Sequence, residues 1–104
     1  MTEEYTILNT EEEIRQKIQN YKSYLTHMLG AESHIPKSRW GYRNYYCAGV
    51  GGKDEQDLMK LAEIGLVRRG FTINEGEDVY FFATEKGMDA AGLNREQKAR
   101  ALEQ

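Results

Sequence analysis

The sequence predicts an α+β domain, and three observations carry that reading. A capping box near the amino terminus opens a run with helical spacing, a second helical run ends on Gly65-Leu66-Val67, and two β-rich runs then follow across a turn-forming link. At 104 residues the chain suits one domain spanning 1–104, since single cores commonly reach about 100–150 residues. Within it fall an N-terminal helix over 10–30, a helix–hairpin–helix unit over 53–93, and a polar C-terminal helix or tail over 94–104.

Thr10 with Glu13 three positions later is the capping box. Ile14, Ile18, Tyr21, Leu25 and Met28 then recur in steps of four and three, which makes one apolar stripe on a helix. Arg15, Gln16, Gln19, Lys22 and Ser23 fall on the opposite, solvated face. Gly30 suits the left-handed position past the last turn. The stripe would also suit a short helical pair between two copies, so a homodimer through Ile14–Met28 is one expected assembly.

From Ala31 to Gly52 the periodicity stops, and the segment holds the sole proline, Pro36. A connection this long is unusual inside a small domain and points to function or to a short strand, best placed at Tyr42–Cys47. Asp54 is positioned to cap a second helix with Leu58, Met59, Leu61 and Ala62 buried and Gly65 closing it. Phe71-Thr72-Ile73 and Val79-Tyr80-Phe81-Phe82-Ala83 have strand composition, joined by the Asn74–Asp78 turn. Thr84 caps a third helix stopped at Gly92, and Asn94 with Gln97 starts the last one.

Bulk composition excludes several classes. The chain is 39% hydrophobic and 30% charged with a net charge of −3, ordinary for a soluble globular protein and unlike a general polyanion binder. No apolar run approaches the ~20 residues of a membrane span, and the Met-Thr-Glu-Glu start is acidic where a secretory signal is basic. A cytoplasmic protein without membrane contact is expected. The one cysteine, Cys47, permits no internal disulfide.

The order Leu58, Leu61, Gly65-Leu66-Val67, Arg68-Arg69, hairpin, Thr84-Glu85-Lys86-Gly87 resembles the winged-helix regulators over about a third of the chain. That resemblance implies a winged-helix-like fold in which the hairpin is the wing. In DNA-binding members the helix before the wing enters the major groove and needs donors and cations. Here it carries Asp54, Glu55, Asp57 and Glu63 against Lys53 and Lys60, and carboxylates repel phosphates. A winged helix turned to protein contact is therefore the preferred reading.

Candidate contact residues come from two places. Lys37, Arg39 and Arg43 are interleaved with Trp40, Tyr42, Tyr45 and Tyr46, a mixture that can hold single-stranded nucleic acid through cations and stacking rings, or a protein surface. Asn44 belongs to the same block, and Arg68 with Arg69 could extend its basic surface. The competing structural reading is that these aromatics fill the gap between helices while the arginines brace acidic neighbours.

Chemistry finds little footing. His27, His34 and Cys47 have zinc-ligand side chains but no pair spacing and no fourth ligand. Gly49-Val50-Gly51-Gly52-Lys53 has Cys47 where a phosphate loop needs glycine and Asp54 where it needs Ser or Thr. Cys47 as nucleophile lacks a nominated base. No catalytic residue, metal or cofactor is expected.

His27-Met28-Leu29-Gly30, Tyr42-Arg43-Asn44-Tyr45-Tyr46 and the later Gly-Leu-Val to Thr-Glu-Lys-Gly section together look like small proteins encoded by bacteriophages and prophages. The resemblance spans about Tyr21 to Leu93. It implies a phage or prophage origin and brings no catalytic residues, because that group has no established activity. The resulting expectation is a non-enzymatic interaction module with a protein partner, using Lys37, Arg39, Trp40, Tyr42, Arg43, Asn44, Arg68 and Arg69. The alternative is a regulatory protein that binds DNA or single-stranded nucleic acid with the same residues.

Overall fold

The computed structural model describes residues 10–104; the acidic start at residues 1–9 lies outside them. The described residues form α1 (Glu11–Leu29), a 3-10 turn (Lys37–Arg39), β1 (Tyr46–Gly49), α2 (Lys53–Glu63), β2 (Val67–Ile73), β3 (Asp78–Ala83), α3 (Glu85–Ala90) and α4 (Arg95–Leu102). Four α-helices and one three-stranded antiparallel sheet, ordered β1-β3-β2, make an α+β fold.

The local start and stop signals act as the sequence predicts. Thr10 Oγ1 accepts from the Glu13 N–H at 3.2 Å while the Glu13 carboxylate accepts from the Thr10 N–H at 3.0 Å. Gly30 ends α1 at φ 68°, the left-handed value that favours glycine. The helix leaves helical torsions at Tyr21 (φ −118°, ψ 15°), which divides it in two. Ile14 and Ile18, before the break, are only partly buried, whereas Leu25, Met28 and Leu29 after it are fully enclosed. Most of the stripe offered above to a second copy is thus packed inside this chain.

Along β3, Val79, Phe81 and Ala83 point into the core and Tyr80 and Phe82 point away, the period-2 alternation of a strand with one covered face. Leu58 and Leu61 of α2, Met88 of α3 and the end of α1 close over that inner face. Fully burying one such side chain contributes about 1.5–3 kcal/mol. The hairpin turns through Asn74 and Glu75 at φ 54° and 58° and Gly76 at 88°. Asn74 Nδ2, donating to Asp78 at 2.6 Å, steadies that left-handed run.

Two expectations shift. Asp54 is not the cap of α2: Gly52 holds that position, and Asp54 lies in the first turn accepting from tyrosines. Met59 is partly exposed, and Asp57 takes a place on the buried side instead. The strand expected at Tyr42–Cys47 begins later, at Tyr46. Opposite Ala83, where the next rung would fall, the Asn44 side chain replaces the backbone: its Oδ1 accepts from the Ala83 N–H at 2.8 Å and its Nδ2 donates to the Ala83 carbonyl at 3.2 Å. The Tyr45 N–H turns away to the Met28 carbonyl at the end of α1.

Candidate interaction surface

The segment from Lys37 to Asn44 is held by the rest of the fold at almost every step. Gln97 Nε2 donates to the Lys37 carbonyl at 2.8 Å, and Arg100 Nη1 donates to the Trp40 carbonyl at 2.5 Å. Both come from α4, so the polar C-terminal helix works as a clamp on this loop. Gln97 also completes the Asn94 capping box. The Trp40 indole N–H goes to the Ile35 carbonyl at 2.9 Å, and the Lys37 ammonium stands 5.7 Å from that ring.

Tyr42 packs against the turn at Gly30, where any side chain would collide with its ring. Arg39 and Arg43 approach the same ring at 5.6 and 5.2 Å. Arg43 also donates from Nε and Nη2 to the His27 carbonyl at 3.0 and 2.6 Å, capping the end of α1, and approaches Glu32 at 3.9 Å. Trp40, Tyr42, Arg43 and Asn44 therefore have internal tasks, in line with the competing structural reading. Lys37 and Arg39 remain exposed. Glu32, to which His27 and His34 also turn at 3.4 and 4.0 Å, is an organising group that no sequence motif marks.

Arg68 and Arg69 do not form one basic surface. Neighbours in a strand face opposite ways. Arg69 turns to the helix side and pairs with Glu55 at 3.2 Å, while Arg68 stands over the Phe82 ring at 4.6 Å on the other side. That other side is the uncovered face of the sheet, and it is aromatic. Tyr45 meets Tyr80 at 6.1 Å, Tyr80 meets Phe71 at 5.0 Å, and Phe71 meets Phe82 at 6.2 Å between ring centroids. Phe71 is 61% exposed and Tyr45 50%, which leaves apolar carbon facing solvent where the opposite face is closed. A shallow depression of about 330 Å³ lies among the four rings.

Glycine and a bulge shape this face. The β2–β3 register slips between Arg69 and Thr72, and at Gly70 any side chain would strike the Phe82 ring. Phe82 thus lies across the strand, and Phe71 is lifted beside it. Cys47, opposite Tyr80 in register, is exposed and free on the same face. A continuous apolar run such as Val79–Ala83 does not reveal which of its members lack a cover.

The acidic side of α2 is also arranged differently from the sequence picture. Asp57 accepts from the Lys53 ammonium at 2.6 Å and lies 2.8 Å from the Tyr24 hydroxyl. Asp54 lies 3.0 Å from that hydroxyl and accepts from the Tyr46 hydroxyl at 2.8 Å. Glu55 accepts from the Gly51 N–H at 2.6 Å and from Arg69. Three of the four carboxylates read above as a repulsive exposed row are tied to the fold, leaving Glu63 on the surface near Lys17. The Gly51 contact also places a carboxylate in the glycine-rich loop where a phosphate would have to sit.

Burial first, then the hydrogen bond to Asp54, pushes the Tyr46 phenol up to about 12. Burial first, then Asp57 and Asp54, raises Tyr24 further. The Lys53 ammonium holds Asp57 below the ordinary carboxylate value, against the opposing effect of burial. Folding favours the protonated phenols, so their contribution is complete below about pH 10, the unfolded value, and is lost as pH rises through the folded values. Tyrosinate absorbance at 295 nm should show a late step at about pH 12. Asp54→Asn should move that step down; an unmoved step would mean the Tyr46–Asp54 bond does not hold the proton.

Among the described residues no three His, Cys, Asp or Glu stand where they could share a metal ion, and no helix is long and apolar enough to cross a membrane. Fold and site together define an α+β domain with helices over one sheet face and aromatic rings across the other. Comparison with family models, curated proteins and solved structures gives no match.

Proposed function

We propose that the chain is a non-enzymatic protein-interaction module that meets its partner through the open sheet face, with Phe71, Tyr45, Tyr80, Phe82 and Arg68 as the contact group. The observation that carries this reading is the pair of exposed rings, Phe71 and Tyr45, which both lie against Tyr80 on one sheet face, whereas the other exposed large apolar side chains among the described residues, Val50, Met59 and Leu102, belong to no such ring cluster. Contiguous apolar surface marks contact sites, and aromatic and arginine side chains are enriched where binding energy concentrates. Arg68, stacked on Phe82 at 4.6 Å, supplies a cation on this face for a partner carboxylate.

A winged-helix-like description and a phage or prophage origin belong to the same proposal. The β1-β3-β2 order, the hairpin and the α2 exit through Gly65-Leu66-Val67 support the description. A helix-turn-helix reader of DNA presents two consecutive helices. Here α2 follows a strand, and its first turn is engaged with Tyr24, Tyr46 and Arg69, which favours protein over duplex DNA as partner.

The test is capture by the immobilised chain from extract of cells that carry its gene. Phe71→Ser with Tyr45→Ser should keep the wild-type circular dichroism and lose the captured protein. Lys37→Ala with Arg39→Ala should retain it. Capture that survives the ring substitutions, or steeply salt-dependent retention of single-stranded oligonucleotides that needs the same rings, would replace this reading.

A further inference from the structure

We infer that a second contact site, sharing no residue with the open sheet face, lies in the groove between the C-terminal half of α1, the loop after it and the end of α3, and that it takes an acidic peptide segment anchored by an apolar side chain. The groove measures about 500 Å³ and runs open along one side, lined by carbon from Ala31, Ile35, Pro36, Trp40 and Ala91, by the hydroxyl residues Thr26 and Ser33, and by Lys22 and Lys37. That volume falls within the range of about 300–1,000 Å³ typical of ligand sites. Its open side suits a segment of chain better than an enclosed small molecule.

The floor is built to present carbon. The Trp40 indole N–H is already bonded to the Ile35 carbonyl, and the Trp40 backbone carbonyl accepts from Arg100, so the ring has no polar atom left for a ligand. The rim selects by charge. Arg15, Lys17, Arg43, Lys53, Arg69 and Lys98 each have a carboxylate within 4.0 Å, in a chain of net charge −3. Lys22 and Lys37 have none among the described residues, a condition they share with Arg39, Lys60, Arg68, Lys86, Arg95 and Arg100, but they are the two exposed cations that line this groove. Two cations without a carboxylate, Lys37 among them standing over the Trp40 ring at 5.7 Å, flank carbon and are complementary to carboxylates flanking an aliphatic side chain. Exposed ion pairs are individually weak, so the anchor supplies most of the affinity and the lysines choose the partner.

Trp40 is the sole tryptophan and reports directly on the groove. The full chain is titrated with the terminally blocked peptide Glu-Glu-Leu-Leu-Glu-Glu while Trp40 emission is followed. A saturable blue shift is expected. Lys22→Glu with Lys37→Glu, or glutamine in place of glutamate in the peptide, should weaken binding at least tenfold. The Phe71→Ser with Tyr45→Ser variant should respond like wild type, so loss of the sheet-face reading leaves this one standing and the reverse. No shift up to millimolar peptide, equal binding by the charge-reversed variant, or a single-stranded oligonucleotide that shifts Trp40 at lower concentration would each overturn the assignment.

Discussion

Replacing Gly87 by alanine should destabilise the protein by about 2–3 kcal/mol, although alanine is the better helix former by about 1 kcal/mol. The two effects oppose each other, and geometry decides between them. Thr84 caps α3 by accepting from the Gly87 N–H at 3.1 Å, and its hydroxyl donates to the Gly65 carbonyl at 2.6 Å. The Thr84 N–H reaches the Leu66 carbonyl at 3.0 Å, so the first turn of α3 is drawn onto the backbone entering β2. At Gly87 a methyl group would occupy the space of the Leu66 carbonyl and crowd Leu25 at 3.3 Å. Backbone cannot yield as a flexible side chain can. A lowered urea midpoint with unchanged slope is the expected result, and a raised midpoint would mean α3 does not lie so close.

Phe81→Ala should cost about 3–5 kcal/mol, a large share of the 5–15 kcal/mol that holds an ordinary domain together. Phe81 is fully enclosed, opposite Tyr46 on one side and Arg69 on the other, at the centre of the covered sheet face. Removing the ring leaves a cavity bordered by strands that cannot collapse far. Thermal unfolding should fall by more than 10 °C, at about 4–8 °C per kcal/mol for a domain of this size. Phe71→Ala, with the same chemistry on the open face, should move the midpoint by only a few degrees. Equal losses at both positions would contradict the assignment of covered and open faces.

What was legible in the sequence was local. Thr10 with Glu13, Asn94 with Gln97, Thr84, and the glycines at 30 and 65 act within a few residues of themselves, and each performs its expected task. Asp54 shows the limit of such rules. It has the right position for a cap, but Tyr24 and Tyr46, 30 and 8 residues away, bring hydroxyls to it, and burial leaves them few other partners. The basic-aromatic block was recognisable as a block, yet its roles depend on α4, the end of α1 and β3. Asn44, for instance, acts on Ala83 39 residues away.

The open aromatic face was legible only in part. Strand alternation alone separates Arg68 from Arg69 and Phe81 from Phe82. It does not say which face the helices take, and the bulge at Gly70 displaces Phe71 from simple alternation. The fold class followed from patterning, while the contact surface followed from where the helices stop covering the sheet.

Cys47 permits the most direct measurement of that surface, because it is the single cysteine and lies exposed on the open face opposite Tyr80. The rate of its alkylation by iodoacetamide is measured for the free chain and for the chain with the protein it captures. If the open face is the contact surface, the complex protects the thiol at least tenfold, and Phe71→Ser with Tyr45→Ser restores the free rate. A complex in which Cys47 reacts as fast as in the free chain would contradict it.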